Sequence, residues 1–148
     1  METTTAKDLY DQLINAWNNR DASTFANLFA NDGICIGYDG SEMHGSDEIS
    51  SSLSAIFQNH PTAKYVSIVR EIKSLDNDVC LVRAHVGMLP PGKTTVDSTK
   101  DAIQVMIAKE DNDAWKIILF QNTPAQYHGR PEALEKLTHE LQETADKS

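Results

Sequence analysis

Apolar positions near the start of the chain recur at three- and four-residue spacing. Leu9, Leu13 and Trp17, flanked by Ala6, Tyr10 and Ile14, predict an amphipathic helix over about residues 4–18 that buries one broad face. Asp21 is placed to cap a second, short helix whose buried side is Phe25, Leu28 and Phe29, and Asn31-Asp32-Gly33 reads as the turn that ends it. "ICIGY" reads as a short strand, and "DGSEMHG" as a turn into a second short extended segment. Ser46 then suits the N-cap of a third helix, with Asp47 and Glu48 at the positive end of its dipole. Its stripe is Ile49, Leu53, Ile56 and Phe57, and His60-Pro61 closes it.

Beyond that point the period changes to two. Residues of about 63–75, 79–89, 94–109 and 114–123 predict strands, separated by "DND", "PPGK" and "EDND". Short turns between long strands make an antiparallel meander. A last helix, about residues 131–146, starts at Pro131 and carries Leu134, Leu137 and Leu141 down one side. The order of elements predicts an α+β fold in which three N-terminal helices cover one face of a curved antiparallel sheet, with an extra C-terminal helix. No repeat or linker divides the chain, so one domain over 1–148 is expected, its core at about 4–128.

The opposite face of the sheet also needs cover. Cys80, Val82, Ala84, Val86 and Met88 make one face of their strand wholly apolar, while Val79 and Leu81 share the other with Arg83 and His85. In the last strand Trp115, Ile117 and Leu119 alternate with Ile118 and Phe120, so both faces read as buried. Helices within the chain can cover one face only, which predicts a homodimer through the sheet.

Composition narrows the function classes. A formal charge of -9 in 148 residues, with no basic stripe interleaved with aromatics, argues against a nucleic-acid partner. No apolar run approaches a membrane span, and "METTTAKDLY" has neither a cationic start nor an apolar core, so a cytoplasmic protein is expected. Cys35 and Cys80 lie in apolar runs without CxxC spacing and read as reduced, buried thiols. The five histidines, at 44, 60, 85, 128 and 139, show no i,i+4 pair and no metal-ligand spacing. There is no GxSxG and no Gly-rich phosphate loop, so no metal or cofactor is expected.

"LINAWNNRDASTFANLFANDGICIGYDGSEMHGSDEI" resembles the opening of the nuclear-transport-factor-two-like superfamily, and within it the SnoaL-like proteins. The tail "NTPAQYHGRPE" resembles the SgcJ/EcaC group. The resemblance implies a cystatin-like cone with a deep, mostly apolar pocket and a dimeric assembly. Its relatives include isomerases, dehydratases and polyketide cyclases, as well as domains that only bind or assemble, so fold does not settle function.

Against ketosteroid isomerase, which uses a tyrosine and two aspartates, Leu13 falls at the tyrosine's place and Gly37 at the base's place. Asp101 matches the second aspartate, sharing strand parity with Ile103, Val105 and Ile107. Two readings of Asp101 stand: a carboxyl raised in pKa inside the cone, or one solvated or paired with Arg83 or Lys100. His85 likewise reads as a general base or as a half-buried histidine bonded to a neighbour. Trp17 is a core residue or a pocket wall, and Tyr38 and His44 are rim contacts or plain turn residues. Gln121, Tyr127, His128 and Arg130 form a polar cluster at the expected pocket mouth. The sequence thus predicts a protein that binds a small apolar, polyketide-like or aromatic molecule. Proton-transfer lyase, isomerase or cyclase chemistry through His85 and Asp101 is one expectation, and a non-catalytic dimeric association domain is the alternative.

Overall fold

A computed structural model describes residues 3–147. In chain order it contains α1 (Thr3–Asn18), α2 (Ala22–Asn27), β1 (Phe29–Ile36), β2 (Glu42–His44), α3 (Ser46–Asn59), β3 (Lys64–Asp76), β4 (Val79–Leu89), β5 (Ala102–Asp111), β6 (Ala114–Pro124) and α4 (Pro131–Asp146). The strands form one sheet in the order β2-β1-β6-β5-β4-β3. All neighbours are antiparallel except β1 and β6, which run parallel.

Asp21 caps α2 as expected, accepting from the Thr24 amide. The helix then stops at Asn27, and Asn31-Asp32-Gly33 is not its terminal turn but an irregular stretch inside β1. Gly33 permits this, because a Cβ there would stand 2.6 Å from the Ile117 carbonyl oxygen of β6. The N-cap of α3 is Gly45 rather than Ser46. With φ of 88° and its amide bonded to the Gly33 carbonyl, Gly45 adopts a backbone that a side chain would oppose.

Two further expectations need correction. Residues 94–100 are a loop, not the start of β5. Val96 is buried there, and Gln142 of α4 supplies its backbone partners, accepting from the Val96 amide and donating to the Thr94 carbonyl. In β6 the alternation slips at Ile118, where the pairing with β5 is irregular, so Ile117 and Phe120 face the same side while Leu119 is half-buried on the other.

The main core lies between α1–α3 and the inner face of the sheet, joining Tyr10, Leu13, Phe25, Ile49 and Leu53 to Val82, Met106, Ile117 and Phe120. A second cluster, built on Val96, Ala125, Leu137 and Leu141 with Ile68, Leu89 and Ile103, packs α4 onto part of the outer face. Gly87 makes that approach possible: a Cβ there would be 2.9 Å from Val96 Cγ1 and 3.1 Å from Leu141 Cδ1. The outer face is therefore partly covered from within the chain, which the alternation of β4 alone does not reveal.

Candidate functional site

Between the inner face and the N-terminal helices lies a cavity of about 480 Å3. Its walls are the side chains that the alternation of the strands and the inner stripes of the helices deliver there. Trp17 comes from α1, Phe25 from α2, Leu53 and Ile56 from α3, Met43 from β2, Tyr65 from β3, Met88 from β4 and Phe120 from β6. Trp17 stacks on Tyr65 with ring centroids 5.1 Å apart and 16° between planes, and meets Phe57 edge-on at 5.3 Å. Its indole N–H donates to the Ala63 carbonyl at 2.9 Å, which fixes the ring as a wall.

Few polar groups enter the cavity. Asn122 lines it from β6, Ser52 from α3 and Cys35 from β1. Burial pushes the Cys35 thiol up to about 12, so it stays protonated and unreactive at neutral pH. Burial also raises Tyr65, whose hydroxyl makes no hydrogen bond to a described residue. Tyr38, Asp39, Ser41 and Glu42 stand at the opening. There the Ser41 side chain and amide bond to the exposed Asp39 carboxylate and hold its pKa below the usual value.

Behind Asn122 runs a buried polar chain. Tyr10 Oη donates to Gln104 Oε1 at 2.6 Å, and Gln104 Nε2 donates to Asn122 Oδ1 at 2.8 Å. Both amide side chains sit on strand parities that are otherwise apolar, among Ala102, Met106 and Ala108 in β5 and beside Phe120 in β6.

Of the residues singled out from sequence, Trp17 and Tyr38 line this cavity. His44 is exposed on β2, its Nε2 2.9 Å from Glu42 Oε1, and is not part of the lining. Gln121 pairs with Val105 on the outer parity of β6. Tyr127 packs into the α4 cluster with the Arg130 guanidinium 5.4 Å from its ring centre. His128 and Arg130 are exposed. The polar cluster after β6 thus joins β6 to α4 rather than forming the cavity mouth.

His85 and Asp101 also lie on the outer side. His85 Nδ1 accepts from Arg70 Nε at 2.8 Å, and Arg70 Nη2 reaches Glu140 of α4 at 3.2 Å. Desolvation, then the Arg70 charge, lowers the His85 pKa. Asp101 is only 1% exposed; its Oδ2 accepts from the Thr138 hydroxyl of α4, and its Oδ1 has no partner among the described residues. Burial raises its pKa against that hydrogen bond. It is buried beneath α4 and not inside the cone.

Two other depressions, of about 660 Å3 and 890 Å3, are bordered by exposed residues such as Pro91 and Lys93 or Asp111 and Ala114, and are surface clefts. Among the described residues no group of three or more His, Cys, Asp or Glu side chains could hold a metal ion. Nor is any helix there long and apolar enough to cross a membrane.

A family described as the SnoaL-like domain matches residues 6–122. No curated protein matches the chain. Among solved structures, a domain of unknown function with a cystatin-like fold from Nostoc punctiforme superimposes with a TM-score of 0.79 at 18% identity, covering 98% of this chain and 96% of that one. A putative calcium/calmodulin-dependent protein kinase type II association domain from Thiobacillus denitrificans gives 0.70 at 12% identity, over 81% and 94%. A ketosteroid isomerase-like protein from Erwinia carotovora atroseptica gives 0.64 at 14% identity, over 81% and 93%. At these identities the neighbours establish the cystatin-like fold alone.

Proposed function

The chain belongs to the SnoaL-like domain family, and from that premise we propose that it binds a small, largely apolar molecule in the cavity between the sheet and α1–α3. The observation that carries this reading is the cavity itself: an aromatic and aliphatic lining fixed by packing, with a few polar groups at one side.

Binding without proton transfer is the form of this function that the geometry favours. A general base must reach the ligand and have a pKa near the working pH. Cys35 and Tyr65 are pushed up by burial, and Asp39 is held down and sits at the opening. His85 and Asp101 are separated from the cavity by the sheet, engaged with Arg70 and Thr138.

A second property rests on a different observation. Leu81, Val105, Ile107 and Leu119 form a half-buried apolar strip on the outer face, flanked by the Arg83–Glu71 ion pair at 2.7 Å. It fits a homodimer through the sheet, and the similarity to a putative kinase association domain supports an assembly role. Two free, buried thiols fit a reducing, cytoplasmic setting. The tail "NTPAQYHGRPE" supports placement in the SgcJ/EcaC group.

The binding reading is tested by a thermal-shift screen of uncharged apolar compounds against the wild type and Gly37→Phe. Gly37 borders the cavity, and a Cβ there meets nothing closer than 3.6 Å, so the substitution places a ring in the opening. Hits that stabilise both proteins equally would rule out this cavity as the site.

A further inference from the structure

We infer that Asn122 is the specificity-determining residue of the cavity, held by the Tyr10–Gln104 chain as a hydrogen-bond donor, so that the site selects uncharged ligands carrying a hydrogen-bond acceptor. This rests on the cavity being the binding site, as proposed above.

The Tyr10 hydroxyl, with the Ser67 side chain beside it, gives its proton to Gln104 Oε1 at 2.6 Å. The Gln104 carbonyl oxygen is thereby engaged, and its amide nitrogen faces Asn122 and donates to Oδ1. Asn122 Oδ1 faces Gln104 and accepts from it. The Asn122 NH2 group is left over, with no hydrogen bond to a described residue.

That NH2 group is not sealed in the core, because Asp101 Oδ1 is the side-chain atom both buried and unpartnered among the described residues. Asn122 is 7% exposed and lines the cavity, so the free surface of its amide opens there. Bonds that all run one way polarise one another, and flipping the Asn122 amide would set NH2 against NH2 at Gln104. The donor is therefore preorganised.

The rest of the lining fixes the charge of the ligand. Among the described residues that line the cavity there is no Lys or Arg to neutralise an anion; Lys100 lies against the outer rim, 5.5 Å from the Tyr38 ring centre, and Asp39 and Glu42 at the opening oppose it. A carbonyl on an otherwise apolar ring system satisfies Asn122 at no charge cost. An isosteric hydrocarbon leaves the buried donor unpaired.

The test is an NMR titration of the full chain with three matched probes: tetralone, tetralin and tetrahydronaphthoate. Tetralone is expected to bind about tenfold tighter than tetralin and to shift the Asn122 side-chain amide; the carboxylate is expected to bind weakest. Asn122→Leu removes the donor, so it should abolish the tetralone preference, read as the ratio of the tetralone and tetralin affinities within the same variant. Gln104→Met should erode that preference by freeing the Asn122 amide to turn.

Equal wild-type affinities for tetralone and tetralin would overturn the donor assignment while leaving the cavity as a binding site. A tetralone preference that survives Asn122→Leu would overturn the role of Asn122, and one that survives Gln104→Met would overturn the orienting role of the chain. Binding of both neutral probes away from the cavity, or of neither, would overturn the cavity reading and this inference with it. The wild-type comparison needs no variant to fold.

Discussion

Arg70 donates its Nε–H to Nδ1 of His85 across 2.8 Å, on the sheet face that α4 partly covers. The bond needs a lone pair on that nitrogen, so it holds the imidazole neutral. Desolvation lowers the His85 pKa first, and the Arg70 charge adds to this; Glu140 opposes it and Arg83 contributes least. An unfolded chain takes up the proton first, near the usual histidine value of about 6.5. The stability linked to His85 is therefore complete above that value and is lost as pH falls below it. Denaturation followed from about pH 7.5 to 5 should show the wild type weakening, with a shallower slope for His85→Gln, which can still accept from Arg70. Equal slopes would show that His85 is not held neutral.

Asp101 carries the opposite sign. Burial raises its carboxyl, opposed by the Thr138 hydrogen bond and reinforced by Asp97. A raised carboxyl stabilises the fold fully below the unfolded aspartate pKa of about 3.9, and that contribution is lost as pH rises through the folded value. Whatever the offset of Asp101→Asn at one pH, its stability relative to wild type should improve as pH rises from about 4 to 7. A flat difference across that range would mean that Asp101 ionises as easily in the folded chain as in the unfolded one.

The apolar strip on the outer face leads to a separate expectation. Ile107 lies between Leu81 and Leu119 in adjacent strands. Light scattering at micromolar concentration should give a dimer of the 16.4 kDa chain, and Ile107→Lys should give a monomer that keeps its helical and sheet content. A monomeric wild type would remove the second-copy assignment.

Most elements were legible because their signals are local. The stripes of α1 and α3 and the Pro131 start of α4 need only a 3.6-residue period and terminal residues. Errors fell where a distant segment decides. Asn31-Asp32-Gly33 has turn composition, yet Gly33 fits against β6 and the chain continues as a strand. Thr94 and Val96 alternate like a strand, yet their backbone groups are bonded by Gln142 of α4.

The site was half legible for the same reason. Trp17 and Tyr38 line the cavity, whereas Gln121 lies on the outer parity and Asn122 beside it on the inner one, because the irregularity at Ile118 changes which residues of β6 face inward. A usable signal was present: between Ala102 and Ala108, Gln104 is the one polar residue on the parity of Ala102, Met106 and Ala108. A lone amide on an apolar face asks for a partner. Its partners, Tyr10 and Asn122, come from segments that only the tertiary fold brings together.

The central claim, that the cavity between the sheet and α1–α3 is a ligand site, is tested most directly by mapping amide shifts as tetralone is titrated into the wild type and into Gly37→Phe. Binding there should shift the wild-type amides of Tyr65, Met88, Phe120 and Asn122, leave Arg70, His85 and Thr138 silent, and be at least about tenfold weaker in Gly37→Phe. Shifts confined to the α4 face, or binding that Gly37→Phe leaves unchanged, would contradict it.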